Sequence, residues 1–83
     1  MQQCDKNNLI ILGNRVKKLR ILKEKSLNKF VMSRGGLTTA SWSRLENGKF
    51  DAKFSTLIKA AAMLDITLPE LLKNLDIDYT ISE

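Results

Sequence analysis

Near the start of the chain, Leu9, Leu12, Val16 and Leu19 recur at intervals of three, four and three. That rhythm places them on one face of an α-helix. Arg15, Lys17 and Lys18 stand among them, with Lys23 and Lys25 beyond. The pattern predicts a helix over residues 8–24, capped by Asn7 or Asn8, whose side chain accepts from a backbone N–H left over at the helix start. Residues 1–7, "MQQCDKN", are polar and aperiodic and read as a flexible arm. A short second helix follows in "SLNKFVMSRGG". Ser26 caps it, Phe30 and Val31 point inward, and Gly35-Gly36 ends it with a reversal that tolerates positive φ. In "TTASWSRLENGK", Thr38 or Thr39 caps a third helix that runs to about Asn47, where Asn47-Gly48 stops it.

"KFDAKF" is irregular. A fourth helix is expected over 54–64, with Leu57, Ala60, Ala61 and Leu64 inward. Asp65 ends it without a Gly and is assigned the left-handed backbone that Asp tolerates. "TLPELLKNL" forms a fifth helix, because Thr67 and Glu70 make a capping box and Pro69 falls in the first turn, where its missing N–H is harmless. Its apolar face is Leu68, Leu71, Leu72 and Leu75. The tail changes period: Ile77, Tyr79 and Ile81 alternate with Asp76, Asp78, Thr80 and Ser82, which reads as a short strand. A single strand in a helical domain has unpaired edges. It either frays, packs on its own domain or pairs with a second copy. The expected organisation is an arm (1–7), an all-α domain (8–75) and a tail (76–83).

At 83 residues the chain is one domain with a thin core, burying roughly 60–65% of its unfolded surface. The single Cys4 cannot form an intrachain disulfide and reads as a bystander thiol. There is no His, and hence no His-based catalysis or metal site. Paired carboxylates on one face, a Gly-rich phosphate loop and a metal-ligand cluster are all missing, which argues against an enzyme and against any cofactor. No apolar run approaches the ~20 residues of a membrane span. A reduced, cytoplasmic setting follows as the default.

Charge sharpens the picture. Residues 1–53 hold twelve Lys/Arg against four Asp/Glu, and residues 54–83 hold two against five, so the net +5 splits into +8 and −3. A basic front and an acidic back suit a polyanion bound on one side.

The lone Trp falls in the basic part. On the third helix, Trp42 and Leu45 share a face, completed by Leu37 or Thr38, and this puts the indole in the core against the first two helices. Stacking on a nucleic-acid base would instead need Trp42 on the outer face. With Trp42 inward, Thr39, Ala40, Ser43, Arg44 and Asn47 face outward. Small residues permit close approach, hydroxyls donate and accept, Ala offers a methyl contact, and Arg is a two-pronged donor. These groups match the base edges of a DNA major groove.

The residues "LGNRVKKLR", "SRLENGK" and "STLIKAAAMLDITLPELL" resemble the Cro/repressor-type helix-turn-helix family of prokaryotic and phage regulators, the XRE family, over roughly residues 9–75. The resemblance implies a five-helix, lambda-repressor-like bundle with the second and third helices as the motif and the third in the major groove. It places Thr39, Ala40, Ser43 and Arg44 at bases. It places Ser26, Leu27, Asn28, Lys29, Thr38, Asn47, Lys49 and Lys53 at or near phosphates. Arg20 and Glu46 fall where the family keeps a buried ion pair. Three features depart from the pattern. Leu27 replaces a polar phosphate contact, leaving only its backbone N–H. Gly35-Gly36 lengthens the turn by a residue. Ala52-Lys53 replaces a frequent Pro-Ser, so the fourth helix lacks an obvious cap.

Two functions follow from the resemblance. One is a transcriptional regulator, a repressor binding a palindromic operator as a homodimer, with Leu72, Leu75, Ile77, Tyr79 and Ile81 as its dimerisation surface. The alternative is an antitoxin that binds a toxin protein through its acidic rear and represses its own operon.

Overall fold

Each stretch with helical periodicity forms a helix in the computed structural model, which describes residues 3–49 and 52–77. The elements are α1 (Gln3–Lys23), α2 (Leu27–Arg34), α3 (Thr39–Glu46), α4 (Phe54–Met63) and α5 (Leu68–Leu72). The fold class is all-α, and among the described residues there is no strand.

α1 begins earlier than its apolar pattern. Residues 3–7 of the expected arm are helical, and Asn7 and Asn8 lie inside α1 and cannot be its N-cap. The physical reason is cooperativity: once a helix is nucleated, each added residue gains a hydrogen bond for one pair of dihedrals fixed. No Gly or Pro interrupts residues 3–12. The apolar rhythm therefore marks the buried part of α1 rather than its length.

The other helix starts fall where the sequence places them. Ser26 Oγ accepts from the Lys29 N–H at 3.3 Å, and Thr38 Oγ1 accepts from the Ser41 N–H at 3.1 Å. Lys53 caps α4 with no side-chain bond, as its sequence implies. Asp65 is left-handed at φ 61°, and the Ile66 N–H turns back to the Ala61 carbonyl. At α5 both halves of the capping box are made: the Thr67 N–H donates to Glu70 Oε1 at 3.0 Å, and the Glu70 N–H donates to Thr67 Oγ1 at 3.2 Å. That bond to the Thr67 backbone lowers the Glu70 pKa, with help from the Thr67 hydroxyl.

α5 is shorter than expected. It stops at Leu72, Lys73 is extended, and Asn74 takes φ 59°. Leu75 therefore reaches the core through a turn, not as a continuing helical face, and Leu72 stays 40% exposed. Tyr79, Ile81 and most of the expected strand lie outside the described residues. Asp76 and Ile77 carry no regular structure.

Each helix contributes to one core. Val16, Phe30, Trp42, Leu64 and Leu71 are fully buried, and Leu12, Val31, Leu45, Ala60, Ala61 and Met63 pack with them. At the rim, Asp65 pairs with Arg34 and, at 3.5 Å, with Lys23. The Arg34 bond is the main reason that the Asp65 pKa is lowered. The Arg34 guanidinium also lies over the Phe30 ring, 5.6 Å from its centroid. Among the described residues no helix is long and apolar enough to cross a membrane.

Candidate nucleic-acid interface

α3 is held from behind by α1. Gly13 makes this possible: a Cβ there would stand 2.6 Å from the Leu45 and Glu46 carbonyl oxygens. Only a residue without a side chain lets the two backbones meet this closely. One turn further, Gly48 has φ 63°, and a Cβ on it would stand 3.0 Å from the Ile10 backbone. The C-terminal end of α3 thus rests directly on α1.

A buried carboxylate fastens this junction. Glu46 accepts from Arg20 Nε at 2.7 Å and Nη2 at 3.1 Å, a two-pronged fork. It also accepts from the Trp42 indole N–H at 2.7 Å. Arg20 is 5% exposed and Glu46 7%, so both charges sit out of water. The remaining Arg20 donor, Nη1, reaches the Glu24 carbonyl at 3.2 Å and the Lys25 carbonyl at 2.5 Å. One guanidinium thereby ties the α1–α2 connection to the end of α3. Charge-assisted bonds in a water-poor site fix geometry, since a displaced partner would leave a buried charge unpaired.

Trp42 is fully buried, and its ring meets Phe30 of α2 at 4.8 Å between centroids, tilted by 54°. Tilted contacts at this distance suit the aromatic quadrupoles. The indole accordingly sits in the core between α1, α2 and α3.

Turning Trp42 inward turns its neighbours outward. Ala40 and Arg44 are exposed, and Thr39 and Ser43 half-exposed. The Arg44 side chain makes no hydrogen bond or ion pair among the described residues, so its donors are open to a ligand. Asn47 is exposed but folds back: its Nδ2 donates to the Ser43 carbonyl at 2.8 Å. It therefore secures the α3 terminus and has fewer donors to offer a phosphate. The Thr38 hydroxyl is likewise engaged in capping, 3.0 Å from Ser41 Oγ. Lys49, just past α3, and Lys53, just before α4, are exposed.

The start of α2 follows directly on the Lys25 carbonyl that Arg20 holds. Asn28 and Lys29 are exposed, while Leu27 packs partly on the core, leaving its backbone N–H as its contribution. The Ser26 hydroxyl caps the helix, and its own N–H donates to Glu24 Oε1 at 3.1 Å. The free N–H groups and partial positive charge of such a terminus suit an anion.

The Arg20–Glu46 pair lies where the family resemblance implies it; three further features of this site are outside the sequence reading. Gly13 was signalled by its place inside a helical rhythm, where Gly is costly unless something packs close. The Trp42–Glu46 bond was legible as an i, i+4 pair on one helix. The Arg20 bonds to the Glu24 and Lys25 carbonyls had no sequence signal.

Comparison with known proteins gives the same architecture. The chain is similar to the restriction-modification controller protein C.AhdI from Aeromonas hydrophila, whose crystal structure superposes with a TM-score of 0.70 at 28% identity, covering 78% of this chain and 97% of that one. No family model and no curated protein sequence matches the chain.

Proposed function

We propose that this chain, a helix-turn-helix protein of the Cro/C1 (XRE) type, binds double-stranded DNA and regulates transcription, with α3 in the major groove. The observation that carries this reading is the orientation of α3. Trp42 is sealed in the core while Ala40 and Arg44 stand in solvent, with Thr39 and Ser43 beside them. Arg44 suits guanine O6 and N7, the Thr39 and Ser43 hydroxyls suit several acceptors, and the Ala40 methyl suits thymine. The α2 terminus from Ser26 to Lys29, with Lys49 and Lys53, suits flanking phosphates and fixes register without reading sequence.

One module offers a small interface, so two copies on a palindromic site are proposed, with half-sites ~34 Å apart. α5 and the tail, net acidic in sequence, suit the contact between copies, through Leu72, Leu75, Ile77, Tyr79 and Ile81. Bound across a promoter, such a dimer represses by occupying the site. The likeness to a restriction-modification controller supports a regulator over an antitoxin.

The test is binding of the full chain to genomic fragments at two salt concentrations. A small set of fragments should be retained at the higher salt, with affinity falling on a log–log scale by about one unit of slope per phosphate neutralised. Equal retention of all fragments would overturn sequence-specific regulation.

A further inference from the structure

Beside the junction with α3, α1 has a second, very different neighbour. Ile11, Asn14, Arg15 and Lys18 of α1 face Glu70, Lys73, Asn74 and Leu75 across a groove of about 530 Å³. Its charges are Arg15, Lys18 and Lys73 against Glu70, whose carboxylate is already held by Thr67. The groove is therefore electropositive. Arg15 Nη2 donates to the Lys73 carbonyl, and Arg15 Nε is buried without a partner among the described residues. That nitrogen is closed to solvent, so the groove's cations open to a ligand are Lys18 and Lys73, both exposed.

DNA bound through α3 does not reach this groove. Ile11 and Arg15 stand two residues either side of Gly13, about 160° around the helix from it. Gly13 is the point where α1 touches α3. The positive groove thus faces away from the reading face and needs a different anion.

The chain carries one of matching chemistry. Immediately after Leu75, which lines the groove, the sequence runs "DIDYTISE", with carboxylates at Asp76, Asp78 and Glu83 and apolar residues at Ile77, Tyr79 and Ile81. An extended segment presents alternate residues to one side. Such a segment offers Asp76 and Asp78 from one side to Lys18 and Lys73, and Ile77, Tyr79 and Ile81 from the other to Ile11 and Leu75. Its length also fits: residues 78–83 span roughly 20 Å when extended, and Ile11 to Lys18 rise roughly 10 Å along α1.

We infer that the α1–α5 groove is a docking site for the acidic tail, residues 76–83, of a second copy of this chain. A two-fold dimer makes the exchange reciprocal, each tail lying in the other's groove, so one pair of segments satisfies both cations clusters and closes the assembly. The inference rests on the dimeric reading above and gives the contact its residues.

Charge exchange tests it in the absence of DNA. One variant of the full chain carries Lys18→Glu and Lys73→Glu, both at exposed positions. The other carries Asp76→Lys and Asp78→Lys. Sedimentation reads the oligomeric state, and circular dichroism checks that each variant is folded. The wild type is expected to be a dimer. Each variant alone should dissociate roughly tenfold or more readily, because groove and tail then carry like charges. An equimolar mixture should regain wild-type dimerisation, since both groove–tail contacts in the mixed dimer pair opposite charges. Variants that dimerise like the wild type, or a monomeric wild type, would overturn the docking site. A mixture that stays monomeric would overturn exchange between copies and place the tail in its own groove or elsewhere. A monomeric wild type would also remove the dimeric reading, whereas a dimer that ignores the charge changes would remove the docking site alone; sequence-specific binding is read separately, from fragment retention.

Discussion

α1 meets its neighbours on two sides, and the two contacts are built on opposite principles. Against α3 the contact is closed: backbones touch at Gly13 and Gly48, and a dry carboxylate is shared by Arg20 and Trp42. Against α5 the contact is an open groove with an excess of cations and an Arg nitrogen lacking a partner among the described residues. A closed junction holds a helix at one angle. An open, charged groove leaves capacity for something else to bind. The difference separates the part of the molecule proposed to present a reading face, which is held rigidly, from the part proposed for assembly.

Breaking the closed junction should have the largest effect. Trp42→Ala removes the central core side chain and orphans part of the Glu46 cage, so a loss of roughly 3–5 kcal/mol of stability is expected. Glu46→Ala leaves the Arg20 charge buried and unpaired, and a loss of roughly 3–5 kcal/mol follows from that alone. Chemical denaturation of each variant measures both. A midpoint within experimental scatter of the wild type would mean that the clasp is not buried in solution.

Gly13→Ala is the next strongest. A methyl at 2.6 Å from two carbonyl oxygens must push α1 from α3. Overpacking of this kind costs roughly 1–3 kcal/mol. If the junction sets the reading face, specific DNA binding should fall more than stability does. A chain that loses neither would show that the close approach is dispensable.

Acid offers the mildest test, and it acts on the open side of the molecule and its rim. Asp65 and Glu70 both have lowered pKa values, from Arg34 and from Thr67 respectively. A depressed carboxylate contributes stability above its unfolded pKa and loses it as pH falls through the folded value. The melting temperature should therefore be flat near neutrality and decline below about pH 4. Asp65→Asn and Glu70→Gln should flatten that decline. Both groups are exposed to solvent, so the effect is small.

The two sides also differ in how far the sequence discloses them. The face of α3 was legible, because one Trp at a spacing of three from Leu45 orients the whole helix. The caps at Ser26, Thr38 and Thr67 were legible, because capping is local chemistry. What escaped leaves no mark in the apolar pattern or in the capping residues. The start of α1 at Gln3 is set by propagation, which leaves no apolar mark. The early end of α5 depends on Asn74 taking a left-handed backbone so that Leu75 can turn inward. Asn47 is a phosphate ligand by family position, and its Nδ2 also donates to the Ser43 carbonyl, a bond that family position does not disclose. The groove between α1 and α5 had no signature, since its residues lie more than fifty positions apart and meet only in the fold.

The central claim is that the outer face of α3 reads bases while the turn beyond it holds phosphate. Affinities of the wild type, Arg44→Ala and Lys49→Ala for a selected fragment and for bulk DNA test it most directly. Arg44→Ala should lower the preference for the selected fragment by roughly ten- to a hundred-fold in a chain that remains folded. Lys49→Ala should weaken binding to both DNAs about equally and reduce the salt slope by about one. An Arg44→Ala protein that keeps its full preference would contradict the account.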